Sequence, residues 1–538
     1  MEKLPLSTGR GHPRKSPARR TMEVLLLVVL GVLTIISGTR LISPTIVASP
    51  KSKTNVIMMV TDGMGPASLS LTRSFRQYRD KLPIDDTLLL DKYLIGSSRT
   101  RSSSSLVTDS AAGATAFSCG LKSYNGAIGV DPSKNPCGTI LEALKLEGYL
   151  TGLVVTTLIT DATPAAFSTH VDYRFQEDLI AEQQLGEYPL GRTLDLMIGG
   201  GRCHYLPTSE EDGCRTDSRN LIEEVQKNGS WNYVGNRKEF DQLDGGNNVS
   251  LPLLALLAPR DIPFDIDRDS KEHPSLAEQV KTALTALSKA TENSDKGFFL
   301  MIEGSLIDHA GHMNDPAAQV REVLAYDEAF AEVIKFIDNS DTETIAISTS
   351  DHETGGLVTA RQVSPTYPDY LWYPGVLLNC THSGEYLANK ITNFKDAHSF
   401  ESFLIKEVLE GDMGIYDYTN EEVSLIKQSA NNPANLLYVL NNMISLRSQT
   451  GWTTHGHSAV DVNIYAHTNS ERIRRQLLQS QPYSGLLGNH ENIEIGAFMQ
   501  KITNVDLKKV TELIKDTKHS PSAQSEVRLK GDLHANSY

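Results

Sequence analysis

The chain has 538 residues, of which 39% are hydrophobic and 22% are charged, a composition typical of globular proteins and unlike that of disordered chains. Its formal net charge is -15, although residues 1–22 carry six basic residues against one acidic residue. The remainder is therefore strongly acidic, which argues against nucleic-acid binding because duplex affinity requires clustered lysine and arginine. Any phosphate binding must use metal ions or a few well-placed arginines.

The N-terminal region predicts a membrane anchor. The basic segment 1–22 precedes an apolar segment, 23–48, whose most apolar part is 24–36. We predict that 1–22 is a cytoplasmic tail and 23–48 a retained single-pass anchor, because the positively charged flank of a span stays in the cytoplasm. A cleaved signal peptide that ends near Ala48 is the alternative.

Beyond residue 55, short apolar runs alternate with helical patterns, which is typical of parallel βαβ units. The predicted helices include 275–290, where Ser275 and Glu278 form a capping box, and 315–338. Residues 361–450 have mixed patterns and are interpreted as an inserted cap, and 504–538 as a polar tail. The predicted strands are 55–61, 151–158, 194–198, 297–302, 344–349 and 460–466. Together these elements predict one α/β catalytic domain, 53–503.

Potential metal ligands follow three of these strands. Open α/β sheets hold their chemistry at the carboxyl ends of the strands, so we expect these side chains to converge. Carboxylates and imidazoles together are typical ligands of divalent cations. The residues are Asp62, Glu303, Asp308, His309, His312, Ser350, Asp351, His352 and Glu353.

Two further segments carry candidate phosphate-binding groups. Ser110 precedes a run of small residues that favours a helix, so it is either a simple cap or a hydroxyl beside an anion-binding helix N-terminus. No G-x-S-x-G signature accompanies it, and a metal ion could activate the hydroxyl instead. Arg174 follows Asp161 and Thr163 and is either a solvated residue or a bidentate phosphate ligand. His455 and His457 precede the last strand, where either is compatible with a simple loop.

The cysteines and possible glycan acceptors fit a lumenal body. All five cysteines lie beyond the apolar segment, and short loops favour the pairs Cys119–Cys137 and Cys203–Cys214, with Cys380 unpaired. Triplets of the form N-x-S/T occur at three asparagines, although such triplets also arise by chance. They are Asn228, Asn248 and Asn379.

Six motifs in this order resemble the alkaline phosphatase family, closest in layout to its fungal, membrane-anchored vacuolar members. They are VTDGMG, TDSAAGATA, DATPAAF with the following arginine, IEGSLIDHAGH, SDHETGG and TTHGH. The resemblance covers about residues 53–503 and implies a central, mostly parallel sheet sandwiched by helices. It also implies a homodimer.

The resemblance implies two Zn²⁺ and one Mg²⁺ per subunit. Asp308, His312 and His455 match the ligands of the first zinc ion, and Asp351, His352 and Asp62 those of the second. Asp62 would also reach a magnesium ion held by Asp161, Thr163 and Glu303. At this third position the chain combines Asp161 with His309, whereas bacterial members pair Asp with Lys and animal members His with His. The all-oxygen set favours magnesium.

The resemblance further implies hydrolysis of phosphate monoesters, with broad specificity and an alkaline optimum, through a phosphoserine at Ser110. Arg174 would bind phosphate, Asp109 would orient Arg174, and His309 would contact the substrate. Substrates would be small monoesters, including phosphopeptides. The location implied is the vacuolar membrane, as a type II protein, with secretion or the cell surface as alternatives.

Three other functions are weighed against this hypothesis. A sulfatase would need a C-x-P-x-R segment, which the chain lacks. A phosphodiesterase or nucleotide pyrophosphatase of the same superfamily would lack the set Asp161, Thr163 and Glu303. A non-enzymatic metal-binding protein would need neither Ser110 nor Arg174.

Overall fold

The computed structural model describes residues 53–517. The predicted cytoplasmic tail 1–22 and the predicted anchor 23–48 lie outside these residues. Within 53–517, no helix combines the length and apolarity needed to cross a bilayer.

A ten-stranded sheet forms the centre of this region, with the strand order β12-β2-β11-β8-β1-β7-β3-β4-β6-β5. Its neighbouring strands run parallel except where β11 pairs with β8 and β2. A two-residue ribbon of β9 and β10 lies apart from the sheet. The strands are β1 Thr54–Val60, β2 Leu94–Arg99, β3 Leu150–Leu158, β4 Leu196–Gly200, β5 Asn232–Val234, β6 Leu253–Leu256, β7 Phe298–Glu303, β8 Glu343–Thr349, β9 Glu353–Thr354, β10 His457–Ser458, β11 Val462–Thr468 and β12 Gly488–Glu491.

Helices cover both faces of the sheet. Alternate residues of β1 enter different cores, with Val56 and Met58 in one apolar cluster and Ile57 and Met59 in the other. The helices are α1 Pro66–Asp80, α2 Ser110–Cys119, α3 Ile140–Leu146, α4 Ala162–Ser168, α5 Glu177–Leu185, α6 Leu221–Asn228, α7 Arg237–Asp241, α8 Leu276–Ala290, α9 Leu306–His312, α10 Pro316–Asp338, α11 Pro374–Leu378, α12 Gly384–Thr392, α13 Phe400–Phe403, α14 Asn420–Ser429, α15 Pro433–Ser448, α16 Glu471–Leu477, α17 Ile493–Thr503 and α18 Leu507–Ile514. This layered α/β architecture confirms the predicted central, mostly parallel sheet sandwiched by helices.

The predicted elements agree closely with the structure. Each of the six predicted strands corresponds to an observed strand with ends shifted by at most two residues. The helix predicted at 275–290 is α8, and its Ser275–Glu278 capping box is present. The sequence did not predict β2, β5, β6 and β12. Strands β2, β5 and β12 are short and mix apolar with polar residues or glycine, so they give no continuous apolar signal. Strand β6 is fully apolar, Leu253–Leu256, but only four residues long.

The folded region continues beyond the predicted boundary at residue 503. Helix α18 buries three apolar side chains in the core beside α3. Their i, i+3, i+7 spacing gives the helix one apolar face, which explains why this otherwise polar segment folds onto the domain. The side chains are Leu507, Val510 and Ile514.

The segment predicted as an insertion is mainly helical between residues 374 and 448. Its apolar side chains form a cluster with Leu71 and Phe75 of α1 and with Ala317 and Val320 of α10. The segment is therefore attached to helices on the outside of the sheet, with no strand of its own in the sheet.

Both predicted disulfides are present, between Cys119 and Cys137 and between Cys203 and Cys214. Cys380 is buried and free, as expected.

Candidate metal centre and nucleophile

Three neighbouring strands deliver the site residues to one edge of the sheet. Strand β1 lies between β7 and β8, and Val60 is level with both Glu303 and Thr349. Asp62 follows β1, and Asp351 and His352 follow β8. The parallel register therefore brings these strand ends together, as the sequence predicted.

Asp62, Asp351 and His352, called the Asp351 group here, offer ligand atoms that all lie within 4.8 Å of one another. His352 Nε2 is 3.2 Å from Asp351 Oδ2 and 3.5 Å from Asp62 Oδ1. Burial and the charge of Asp351 raise the pKa of Asp62 well above its ordinary value. Burial and the charge of Asp308 raise the pKa of Asp351 to about 7.

Asp308, His312 and His457, called the Asp308 group here, form a second cluster of the same size. His312 Nε2 lies 3.2 Å from Asp308 Oδ2 and 3.1 Å from His457 Nε2. The His457 ring stacks on the His352 ring with 3.5 Å between centroids, so the two groups adjoin. Helix α9 places Asp308 and His312 one turn apart on one face.

The structure places His457 in this group, and not the predicted His455. His457 belongs to β10, where it pairs with Thr354 of β9, and this register sets its ring against His352. Its Nδ1 donates to the Thr108 carbonyl at 2.8 Å, which directs Nε2 toward Asp308. Two histidines separated by one residue are equivalent in sequence, and only the strand pairing distinguishes them.

Ser110 lies beside the Asp351 group at the start of α2. Its Oγ is 3.1 Å from His352 Nε2, and the residue is 3% exposed. Asp109 caps the helix by accepting from the amide of Ala112 at 3.0 Å. A Cβ added at Gly113 would lie 2.8 Å from the Asp351 Cβ, so only glycine allows this close approach. The serine hydroxyl therefore faces both the helix N-terminus and the potential cation ligands.

Arg174 is held between two carboxylates. Its Nη2 lies 2.9 Å from Asp161 Oδ1 and its Nη1 3.6 Å from Asp109 Oδ2. Burial opposes the charge of Arg174, but the nearby Asp161 and Asp109 raise its pKa further above the ordinary value. The guanidinium is therefore a fixed cation beside Asp109, the residue that precedes Ser110.

Three further oxygen-bearing side chains lie near Asp62. The Thr163 hydroxyl donates to Asp62 Oδ2 at 3.5 Å, and Asp161 caps α4, the helix that carries Thr163. Burial and the charge of Asp161 raise the pKa of Glu303 to about 8. Asp161, Thr163 and Glu303 are called the Glu303 group here.

The buried oxygens of these groups fit cations. Asp62 Oδ1, Asp351 Oδ2 and Glu303 Oε2 accept no hydrogen bond from the residues that the structure describes. An unpartnered buried carboxylate oxygen is costly, and a divalent cation would compensate it. Imidazole and carboxylate suit zinc in the first two groups, whereas oxygen alone suits magnesium in the third.

Sequence reasoning did not identify two supporting residues. Thr354, in the ETGG segment after β8, contacts Asp308 Oδ1 and lies 3.2 Å from His352 Nδ1, so it joins the two groups. Asp261 Oδ2 lies 3.4 Å from His309 Nδ1. Burial lowers the pKa of His309, but Asp261 outweighs it and raises that pKa to about 10. Asp261 could have been found in the sequence, because it is an acidic residue shortly after the apolar segment that forms β6.

Residues 53–505 match the alkaline phosphatase family model. The chain belongs to the alkaline phosphatase family. Repressible alkaline phosphatase of Saccharomyces cerevisiae is 58% identical over 531 residues, which cover 96% of this chain and 93% of that relative. The chain is thus a phosphomonoester hydrolase of this metal-dependent family, and the phosphodiesterase alternative is not favoured.

Two solved alkaline phosphatases share the fold. The cold-active enzyme of Shewanella sp. has a TM-score of 0.69 at 31% identity and covers 84% of this chain and 99% of its own. A mutant of the TAB5 alkaline phosphatase with Mg bound in its M3 site has a TM-score of 0.57 at 26% identity. The match covers 85% of this chain and 100% of the TAB5 chain.

Proposed function

We propose that this alkaline phosphatase hydrolyses monoesters through a phosphoserine at Ser110, with Zn²⁺ at the Asp351 and Asp308 groups and Mg²⁺ at the Glu303 group. The observation that carries the proposal is the 3.1 Å contact between Ser110 Oγ and His352 Nε2, within a group in which Asp62 Oδ1 and Asp351 Oδ2 accept no hydrogen bond from the described residues. His457 replaces His455 as the third ligand of the Asp308 group, because its Nε2 faces Asp308.

Magnesium at the third site is supported by the ligand chemistry, since Asp62, Asp161, Thr163 and Glu303 offer only oxygen. The similar TAB5 mutant carries Mg in its M3 site. The Asp161→His variant tests the point. We expect it to retain less magnesium after dialysis, as measured by elemental analysis, and unchanged magnesium occupancy would contradict the assignment.

When bound, the zinc ions would lower the pKa of a hydroxyl or water and stabilise the departing oxygen. Arg174 holds the equatorial phosphate oxygens with two parallel donors, and Asp109 and Asp161 fix its orientation. The N-terminal amides of α2 add donors on the same side. His309 contributes a further donor near the phosphate, oriented by Asp261.

The reaction proceeds in two displacements. Ser110 Oγ loses its proton to solvent and bonds to phosphorus while the bond to the alcohol oxygen breaks, and the departing alkoxide takes a proton from solvent and leaves as the alcohol. Water then attacks the phosphoserine from the vacated side, the bond to Oγ breaks, and inorganic phosphate leaves. The two displacements involve only the phosphoryl group and the oxygen that joins it to the alcohol. The enzyme therefore needs few contacts with the rest of the alcohol, which supports broad specificity.

The Ser110→Ala variant tests the nucleophile. We expect a loss of kcat of about a thousandfold or more, because the remaining groups bind and polarise phosphate without providing a nucleophile. Acid quenching during turnover followed by mass spectrometry should find phosphate on the Ser110 peptide of the wild type. Ser105→Ala, an exposed serine five residues away, is the matched control and should keep both activity and labelling. Phosphate on a different residue would refute the assignment.

The proposed location is the vacuolar membrane, with 1–22 in the cytoplasm, 23–48 as anchor and the catalytic domain in the lumen. Secretion or the cell surface is the alternative. The basic and apolar N-terminal pattern supports the anchor, and the two disulfides support an oxidising compartment. Glycans are proposed on three exposed asparagines, Asn228, Asn248 and Asn379. Carbonate extraction of membranes, compared between the full chain and one lacking 1–48, tests the anchor.

We further propose a homodimer, and a cap formed by residues 361–450 beside the active-site entrance. The dimer is supported by family likeness, and sedimentation of the purified catalytic domain tests it. The cap is supported by packing, because Leu437 of α15 lies in an apolar cluster with Leu306 and Ala310 of α9.

A further inference from the structure

An exposed aromatic pair lies beside the Asp308 group. The Tyr438 and His455 rings meet edge to face, with 6.1 Å between centroids and 61° between planes. Tyr438 is 57% exposed, and His455 is also exposed. Aromatic rings at this separation attract each other, and their outer faces remain available to a third ring.

His455 is fixed to the metal-ligand helix by a reciprocal contact with His312. His455 Nδ1 donates to the His312 carbonyl at 2.6 Å, and His312 Nδ1 donates to the His455 carbonyl. A carbonyl oxygen only accepts, so each ring must donate from Nδ1. The position of the His455 ring is therefore coupled to that of the His312 ring.

Tyr438 is fixed to the same helix by its neighbours on α15. Leu437 packs in a cluster with Leu306 and Ala310 of α9, and Asn441 Nδ2 donates to the Met313 carbonyl at 2.9 Å. Both contacts join the insertion to the helix that carries Asp308 and His312. The segment of α15 that carries Tyr438 is therefore anchored to α9 on both sides of that residue.

The proposed mechanism places the organic part of the substrate near this pair. With Ser110 attacking in line, the alcohol oxygen departs on the side opposite Ser110, and the proposed function assigns that oxygen to the Asp308 group, which adjoins the Asp351 group. The His312 carbonyl of the Asp308 group accepts from His455 Nδ1, so under this proposal a substituent on the departing oxygen would have the two exposed rings as neighbours.

We propose that Tyr438 and His455 contact the alcohol part of the substrate and make this enzyme prefer phosphate monoesters of aromatic alcohols to aliphatic ones of equal size. This inference rests on the proposed function, because the direction of departure depends on attack by Ser110. An aromatic group can stack on these rings or meet them edge to face, which adds to the free energy gained by burying its apolar area. A saturated ring of the same size gains only the free energy of burial.

Benzyl phosphate and cyclohexylmethyl phosphate test the preference, since they share the departing oxygen and nearly the same ring size. We expect the ratio of their kcat/KM values to fall about three- to tenfold in the Tyr438→Ala holoenzyme, the range of one aromatic contact. Tyr438→Phe should keep the ratio. Tyr416→Ala, which removes a 74% exposed tyrosine of the same insertion, should keep it too.

The matching phosphonates provide a measurement independent of turnover. The ratio of the dissociation constants of benzylphosphonate and cyclohexylmethylphosphonate, measured by calorimetry, should change in parallel with the kinetic ratio. An unchanged ratio in Tyr438→Ala, or an equal loss for both esters, would overturn the inference. If the wild type hydrolyses neither ester, the proposed function fails, and the phosphonate ratio still decides the inference about the rings.

Discussion

Two regions of the molecule meet at the active site and are built differently. The floor consists of five residues that are at most 6% exposed and that end a strand, follow a strand or begin a helix: Asp62, Ser110, Glu303, Asp351 and His352. The rim consists of residues 361–450 with His455, attached through apolar contacts to helices outside the sheet. The sheet hydrogen bonds position the floor, whereas helix packing positions the rim.

The two regions therefore tolerate change differently. Floor carboxylates crowd together at van der Waals distance from glycines, so a small displacement alters several ligand atoms at once. Rim side chains such as Tyr438 are exposed, so substitutions there change contacts with the substrate and leave the ligand geometry in place. Under the two proposals, the chemistry thus belongs to the floor and the selectivity to the rim.

The largest difference in kcat is expected between alanine variants of two histidines near the boundary of these regions, His457 and His455. His457→Ala removes a ligand atom of the Asp308 group, and we expect kcat to fall more than about a hundredfold. His455→Ala removes no ligand atom; it removes the donor to the His312 carbonyl and one ring of the exposed aromatic pair, so about tenfold or less is expected. Bound zinc, measured by elemental analysis after dialysis, should fall in the same order. Equal losses of kcat and of bound zinc in both variants would contradict the assignment of His457, and not His455, as a metal ligand.

A smaller effect should come from Gly63, directly after Asp62. Its φ is +74°, and an added Cβ would lie 2.6 Å from the Asp308 Cα. Gly63→Ala should therefore lower kcat about a hundredfold by displacing α9, besides the strain of about 1 kcal/mol that a left-handed alanine costs. Gly229→Ala is the matched control, since its φ is +67° and nothing lies within 4 Å of the added Cβ.

Thermal unfolding separates the two contributions. Both glycine variants should lose similar stability from backbone strain, and Gly63→Ala should lose more. Only Gly63→Ala should lose activity and bound metal. Full activity in Gly63→Ala would contradict this prediction, because it would show that the backbone near Asp308 adjusts to the added Cβ without displacing the ligand atoms.

The smallest effect on activity should come from Glu322, a buried carboxylate of α10 outside the three ligand groups. It accepts from the Asp265 amide at 2.5 Å. Burial and the charge of Asp265 raise the pKa of Glu322 to about 8. Between its ordinary value, 4.5, and 8, the folded chain keeps a proton that the unfolded chain releases, so this group's contribution to stability falls as pH rises.

Glu322→Gln should remove that pH dependence. The Tm of the variant relative to wild type should rise from pH 5 to pH 9, with kcat nearly unchanged. Glu332→Gln, a partly exposed glutamate on the same helix, is the control and should show no such trend. If added zinc and magnesium abolish the trend, Glu322 is coupled to the floor after all.

The fold was largely predictable because its central strands are continuous apolar runs. Strands β1, β7 and β8 are buried on both faces, so their apolar segments identify them and the polar residues that follow mark the site. Edge strands such as β12 have mixed residues and no such signal. Helix α18 was missed although the spacing of Leu507, Val510 and Ile514 was an amphipathic signal in the sequence, because the surrounding segment is mostly polar.

The sequence by itself determined the layered α/β class, both disulfide pairs and the segments that carry the potential ligands, because strand periodicity, loop length and residue chemistry are local properties. Only the tertiary structure decided that His457, and not His455, joins Asp308 and His312. It also decided that Thr354 joins the two groups and that Tyr438 stands at the rim. These choices depend on the register of β9 with β10 and on the packing of α15 against α9, which are contacts between residues distant in the chain.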